Sequence, residues 1–336
     1  MAARLRPSAP GPRLSQPSAA PPEIAEQSSA MKTYIILNPA AGRGAAGQRR
    51  GDLEAALRAV GLDHTLVTTH ARGGATELTY QALEQGYDCV VAVGGDGTIN
   101  EVVNGILGAR ARGVGDATLG IIPLGTGSDF IKALDSFSAD DLHGAVARIA
   151  AGATRMVDVG RIVVEAGTLE IRRAFINGLG AGIDAQVAVE VGKITWLTGI
   201  AAYIVASMRA LTFYRPGLMT VRYDGKELRR RLYFATLGNG RFQGGGFLLT
   251  PAGRIDDGLL DLCAVNSLRP DQVLRYYPKL LDGSHVGLPV VTMAQAREIE
   301  ISSPTPFPVA TDGEVVATDA TRVVVETEPG AIRLLA

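Results

Sequence analysis

The run Gly94-Gly95-Asp96-Gly97-Thr98 brings together residue types suited to holding a phosphate group. Glycines let a backbone come close to phosphate oxygens and adopt positive φ. The run ends an apolar stretch, Cys89-Val90-Val91-Ala92-Val93, that reads as a buried strand, and a helix is predicted over 98–107. That helix aims its free N–H groups and the positive end of its dipole at the same turn. Asp96 places a carboxylate there. Beside a polyphosphate a carboxylate is repulsive unless it holds Mg²⁺, orients a metal-bound water or takes a proton, so the run points to metal-nucleotide chemistry. Ile99, Val102, Val103, Ile106 and Leu107 fall on one helical face. Thr98 and Glu101 have capping-box spacing. Glu101 is therefore expected either to cap its own helix or to contact the nucleotide.

Two more loops share this character. Asn38-Pro39-Ala40-Ala41-Gly42 follows the strand candidate Tyr34-Ile35-Ile36-Leu37, and Pro123-Leu124-Gly125-Thr126-Gly127-Ser128-Asp129-Phe130 follows Gly120-Ile121-Ile122. Leu66-Val67-Thr68 is a further strand, and helices are predicted over 46–60 and 74–86. Short apolar strands alternating with helices imply a parallel sheet with crossovers, and ligands bind such sheets beyond the carboxyl ends of the strands. The three loops should lie at one sheet edge. Gly42-Arg43-Gly44-Ala45-Ala46-Gly47 matches G-x-G-x-x-G. A dinucleotide fingerprint, however, follows its strand directly and has an acidic residue about 20 positions on; neither holds here. No G-x-x-x-x-G-K-[ST] occurs, which excludes a P-loop.

After about residue 155 strand-like runs dominate, at 157–164, 171–177, 218–223, 232–238, 259–265, 298–301 and 322–326, which predicts a mostly antiparallel second domain. Residues 1–30 are rich in Pro, Ala and Ser. They cannot bury enough apolar surface to offset their ordering entropy, so a disordered tail or a mis-assigned start is expected, with Met31 as a natural initiator.

The ordered set of motifs resembles the diacylglycerol kinase catalytic-domain family, soluble lipid kinases that include sphingosine kinases and bacterial diacylglycerol kinases. Beyond the loops above it includes Phe175-Ile176-Asn177, Gly180-Ala181-Gly182-Ile183-Asp184-Ala185, Gly238-Asn239-Gly240-Arg241, Gly244-Gly245-Gly246, Asp256-Asp257-Gly258-Leu259-Leu260-Asp261 and Asp312-Gly313-Glu314. The resemblance implies an α/β fold: a phosphofructokinase-like parallel-sheet domain that binds ATP, over 31–155, and a mainly antiparallel β-sandwich for the lipid substrate, over 156–317. The chain end from about 318 would return to the first domain.

By position the resemblance assigns ATP contacts to Asn38, Pro39, Ala40, Ala41, Gly42, Thr69, Gly95, Asp96, Gly97, Thr98, Ile99, Asn100, Glu101 and Thr126, and the glycine loops themselves add Gly94 and Gly125 as expected cofactor contacts. Glu314 matches the proton acceptor, with Asp312 and Asp96 as the other catalytic carboxylates. Asp257, with the backbone oxygens of Arg254 and Leu259, matches a Mg²⁺ site joined through water to Asp312. The chemistry is coherent. A lipid hydroxyl is a poor nucleophile and a positioned carboxylate can take its proton, while phosphoryl transfer otherwise needs alignment and charge neutralisation. Asp-Gly pairs are also ordinary hairpin turns, so Asp257-Gly258 and Asp312-Gly313 keep that reading open. Ser128 departs from the asparagine usual in the family.

The implied activity is ATP- and Mg²⁺-dependent phosphorylation of the hydroxyl of diacylglycerol or a related lipid. A cytoplasmic protein in transient, peripheral contact with a membrane surface is expected, and a homodimer is compatible. A sphingoid base is the nearest rival substrate; it calls for an acidic residue in the acceptor cleft, which the sequence does not place. An NAD kinase shares Gly-Gly-Asp-Gly-Thr, but the Asn-Pro and Pro-Leu-Gly-Thr-Gly loops favour the lipid branch. A non-catalytic nucleotide- or lipid-binding regulator is disfavoured because Asp96, Asp257, Asp312 and Glu314 are all present.

Bulk properties agree with these expectations. A net charge of −1 over 336 residues gives no global attraction to nucleic acid or anionic membrane, so any such contact must be local. Arg229-Arg230-Arg231 is the densest basic run. Cys89 and Cys263 sit in apolar stretches and read as buried free thiols, and the four histidines are scattered as structural residues. No segment reaches the ~20 apolar residues that a membrane crossing needs. The nearest stretch, between Lys193 and Arg209, reads as a core helix or as one flanking a lipid entrance.

Overall fold

The structure is a computed structural model that describes residues 31–125, 129–134, 141–194, 196–197 and 199–336. The expected tail over 1–30, Thr126 and Ser128 lie outside the described residues.

The apolar runs of the first half form a parallel layer. Strands β1 (Thr33–Leu37), β2 (His64–Thr68), β3 (Cys89–Gly94) and β4 (Thr118–Pro123) stand in the order β4-β3-β1-β2. Every residue of β1, β3 and β4 is buried because helices cover both faces of the layer. Alternation along β1 sends Tyr34 and Ile36 to one core and Ile35 and Leu37 to the other. Helices α3 (Gly74–Glu84) and α4 (Asp96–Ala111) pack on the first face; α1 (Ala45–Gln48), α2 (Arg50–Ala59) and α6 (Leu142–Ala151) pack on the second, and the short α5 (Asp129–Lys132) follows β4.

The second half is antiparallel. It comprises β5 (Thr154–Ala166), β6 (Leu169–Phe175), β7 (Gly178–Gly182), β8 (Gly217–Tyr223), β9 (Lys226–Gly238), β10 (Leu260–Asn266), β11 (Val291–Ala296), β12 (Glu298–Thr311) and β13 (Glu314–Leu335). A buried core of Ile162, Phe175, Leu237, Leu262, Ile299 and Val323 lies between its layers. Helices α7 (Ile183–Val191) and α8 (Gly199–Phe213) cover Phe234, Cys263 and Val265; α9 (Pro270–Tyr276) and α10 (Lys279–Asp282) follow β10. Strand β13 pairs with β12 and β5, and at its end Leu334 lies beside Leu119 of β4. One strand thus carries the site-bearing turn at its start and the parallel layer at its end.

The structure departs from sequence expectation at β7, which was not anticipated. Three of its five residues are glycine, poor strand formers. A Cβ at Gly180 would sit 2.5 Å from the Asp184 carboxylate, and one at Gly178 would sit 2.5 Å from the Gln243 amide. Glycine is there for close approach. The predicted helix over 46–60 is broken at Arg49, and β11 was also missed.

Candidate active site

Three loops after β1, β3 and β4 meet at one sheet edge. Asn38 Oδ1 accepts from Ala40 N (3.1 Å) and its Nδ2 donates to Thr98 Oγ1 (3.0 Å), which ties the first loop to the second. A Cβ on Gly125 would lie 2.6 Å from Gly95 Cα, so the second and third loops touch backbone to backbone. Positive φ is not what the Gly94–Gly97 run requires: among the described residues of the three loops the left-handed backbone lies at the end of the first, at Gly42 (φ 59) and the Arg43 and Gly44 that follow it. Thr69, reached from β2, is buried and also lines the cleft.

Asp96 accepts from Asp129 N (2.9 Å) and Phe130 N (3.2 Å), joining the phosphate-type turn to α5. Burial, and then the nearby Asp129 carboxylate, push its pKa up to about 7. Asp129 is also raised by burial, although it holds Lys132 Nζ at 3.0 Å and accepts from Gly245 N (2.6 Å).

The expected capping box is not formed. Helix α4 begins at Asp96 with Gly95 as its cap, so Thr98 already lies inside the first turn. Glu101 reaches a different helix: Oε1 accepts from Gly73 N (2.8 Å) and Oε2 from Ala75 N (2.9 Å), the free donors at the start of α3. No proximity in sequence signals this contact.

Asp312 and Gly313, at φ 48 and 80, form the two-residue turn between β12 and β13. The hairpin reading and the functional one therefore coexist. The Asp312 carboxylate accepts from Ile176 N (2.9 Å), Asn177 N (3.0 Å), Gly178 N (2.9 Å) and Asn100 Nδ2 (2.6 Å). Burial still raises its pKa, against the pull of those donors. Asn100 Oδ1 accepts from Arg173, and Arg173 is paired with Glu314. Arg72 Nη2 stands 3.5 Å from the same Glu314 oxygen. A Cβ on Gly97 would meet Glu314 Oε1 at 3.3 Å, so this carboxylate faces the Gly-Gly-Asp-Gly turn across the cleft.

A cavity of about 800 Å³ joins these features. It is lined by Asn38, Pro39, Ala40, Ala41, Gly42, Thr69, Gly95, Asp96, Gly97, Thr98, Glu101, Gly125, Asp312 and Glu314. Gly94, Ile99 and Asn100 are buried behind it; Asn100 acts through Asp312 and Arg173. The cavity continues along Ile183, Val187, Tyr203, Leu211, Phe234 and Val291. Asp184 also lines it, bonded to Thr236 and Ala185 N, with burial pushing its pKa up to about 6. Arg72, Arg173, Asp129 and Asp184 were not singled out as site residues. Only Asp129 and Asp184 carried a signal, by standing inside quoted motifs.

Arg254, Asp257 and Leu259 do not line this cavity. Asp257 Oδ1 accepts from Leu259 N (3.0 Å), and Asp158 Oδ2 fixes the turn through Gly258 N (2.7 Å). Among the described residues no three His, Cys, Asp or Glu side chains cluster as a metal site. One carboxylate and two backbone carbonyls are nevertheless the hard oxygen donors that a hydrated Mg²⁺ takes, so this turn fits that ion.

Comparison with known proteins matches residues 32–162 to the family described as diacylglycerol kinase catalytic domain. Residues 177–336 match the YegS C-terminal NAD kinase beta sandwich-like domain. A diacylglycerol kinase of Staphylococcus epidermidis is 32% identical over 84% of this chain and 85% of its own length. The chain belongs to the diacylglycerol kinase family. A Mycobacterium tuberculosis diacylglycerol kinase is 30% identical over 81% of this chain and 85% of its own. Among solved structures, a putative diacylglycerol kinase from Bacillus anthracis superposes with a TM-score of 0.72 at 24% identity, covering 92% of this chain and 98% of that one. Yeast NADH kinase complexed with NADH gives 0.52 at 11% identity, over 92% and 84%. Both share the fold: a catalytic α/β domain followed by an antiparallel β-sandwich. The chain is thus a kinase, and ATP is the phosphoryl donor that its family implies.

Proposed function

We propose that this kinase transfers the γ-phosphoryl group of ATP to the hydroxyl of diacylglycerol or a closely similar lipid alcohol. The observation that carries the reading is the single cavity. The Asp312–Glu314 turn lies between Gly97 of the phosphate-type loop and Tyr203 of the apolar wall: a Cβ on Gly313 would be 3.7 Å from the Tyr203 hydroxyl. An acceptor bedded in the apolar part would present its polar end to Glu314. Glu314 would take the hydroxyl proton as the new oxygen–phosphorus bond forms and the bond from the γ-phosphorus to ADP breaks, with ADP leaving. Arg173 holds Glu314 in place through the chain Asp312–Asn100–Arg173, and Arg72, beside the same carboxylate, would be the cation available to the γ-phosphate. Mg²⁺ would be held by Asp257 and the backbone oxygens of Arg254 and Leu259, a turn that does not line the cavity, where it would order the substrate domain rather than touch the phosphates.

The NAD kinase reading is weaker. Among the described residues Arg43 and Arg72 are the only Lys or Arg side chains lining the cavity, and both belong to the nucleotide loops. A dinucleotide acceptor would bring a pyrophosphate into a wall without cations. The sphingoid-base reading gains one specific observation, the Asp184 carboxylate in the acceptor part, able to meet an ammonium group.

A panel of diacylglycerol, a sphingoid base and NAD with radiolabelled ATP tests the proposal. Label is expected in diacylglycerol. Label in the sphingoid base that disappears in Asp184→Asn would transfer the assignment to that substrate. Label in NAD alone would overturn it.

A further inference from the structure

We propose that Tyr203 is a further catalytic residue: its hydroxyl donates a hydrogen bond to the acceptor oxygen of the lipid and holds that oxygen beside Glu314 for attack on the γ-phosphorus. This rests on the lipid-kinase reading and adds a second contact at the reacting atom.

Tyr203 stands where the two parts of the cavity join. Its ring belongs to the apolar wall that also carries Phe234 and Phe247. Its hydroxyl reaches the Asp312–Glu314 turn, 3.7 Å from where a Cβ on Gly313 would lie. The ring is fixed from several sides. Ala202, Ala206 and Ala210 bury one face of α8. Ser207 Oγ donates to Tyr203 O (2.7 Å), one turn along the same helix. Gly244, at φ 63, packs its backbone against the ring: a Cβ there would be 3.5 Å from Cδ1. The next residue, Gly245, donates to Asp129, whose own N–H donates to Asp96. The glycine run therefore ties the ring to the phosphate-type turn, while the hydroxyl lies against the turn that carries Glu314.

The fold itself makes no use of this hydroxyl. Among the described residues no group is hydrogen-bonded to it. A wall that had only to be apolar would be served by phenylalanine, which the same wall uses at Phe234 and Phe247. A tyrosine hydroxyl withdrawn from water without a partner costs stability, and the reacting end of the acceptor supplies that partner. Burial, and then the Asp129 and Asp96 carboxylates, raise the Tyr203 pKa. The group stays protonated at neutral pH and acts as a donor rather than as a second base.

The lone pairs of the acceptor balance. Its hydroxyl oxygen carries one proton and two lone pairs. The proton passes to Glu314, one lone pair forms the bond to the γ-phosphorus, and the other accepts from Tyr203. The bond from the γ-phosphorus to ADP breaks and its electron pair leaves with ADP. Tyr203 keeps its proton throughout.

Tyr203→Phe keeps the ring and removes the donor, and it is assayed with ATP and dispersed short-chain diacylglycerol. The turnover number should fall roughly 10–10²-fold, the usual cost of a misaligned acceptor. KM for the lipid, ATP binding by calorimetry and Tm should stay as in the wild type, and the pH dependence of kcat should keep its shape. Wild-type turnover in the variant overturns the proposal and leaves Tyr203 a wall residue. A raised KM with kcat unchanged overturns it too, by placing the contact away from the reacting oxygen. Weakened ATP binding would make Tyr203 a nucleotide contact, and a pH profile that loses a limb would make it a base; either overturns the proposal. Failure of the underlying reading shows instead in the wild-type chain, as ATP bound with no lipid phosphorylated, and takes this role with it.

Discussion

At the scale of residues the site is a chain of carboxylates and guanidiniums brought together across long stretches of sequence. Arg173 and Glu314 are 141 positions apart, and Asn100 and Asp312 are 212 apart. Asp312 and Glu314 were legible because they stand in a short motif. Arg72 and Arg173 were not, because an isolated arginine in a loop or an alternating strand has no local mark. Two substitutions test the roles. Glu314→Gln keeps size but cannot readily accept a proton, so turnover should fall roughly 10²–10⁴-fold while ATP binding by calorimetry is unchanged. Retained turnover would remove Glu314 from the mechanism, and lost ATP binding would make it a nucleotide ligand. Asp96→Asn removes the charge facing the phosphates. The amide oxygen can still accept from Asp129 N or Phe130 N, and the neutral group suits a site where burial already disfavours the ion. Turnover should be lost with no fall in Tm. Near-normal rates would reduce Asp96 to a turn residue.

At the scale of elements, the parallel layer was the legible part, since fully buried strands read as unbroken apolar runs. Strand β7 was not, because its glycines are selected by neighbouring side chains rather than by β-propensity. The capping box failed for a related reason. Sequence spacing shows which groups could cap their own helix, but α4 starts at Asp96, so Glu101 stands past its first turn and meets the free donors of α3 instead. Glu101→Ala should therefore cost about 1 kcal/mol of stability, the usual worth of a helix cap, read as a lower denaturation midpoint with an unchanged slope. If Glu101 instead served mainly the nucleotide, ATP affinity would fall and the midpoint would stay.

At the scale of the whole molecule, the cavity gathers carboxylates that the fold keeps reluctant to ionise. Asp96, Asp129, Asp184 and Asp312 are all raised by burial, Asp96 to about 7 and Asp184 to about 6. In the unfolded chain each titrates near its ordinary value of about 3.9. Between about pH 5 and about pH 7.5 the folded state thus holds more protons than the unfolded one, and stability must fall as pH rises. The contribution is fully present below the unfolded value and is lost through the folded one. Carboxylates of the opposite sign do not reverse this. Glu300 is held low mainly by Arg322, Glu54 by Arg50 and Asp271 by Arg269, and their contribution is lost only in more acid solution. Without ligands, Tm should be highest near about pH 5 and decline through neutrality. Asp96→Asn, which deletes the group raised to about 7, should flatten the upper part of that decline. A Tm that climbs steadily from about pH 5 to about pH 7.5 would mean that solvent reaches these carboxylates freely and that the cleft is more open than its burial implies.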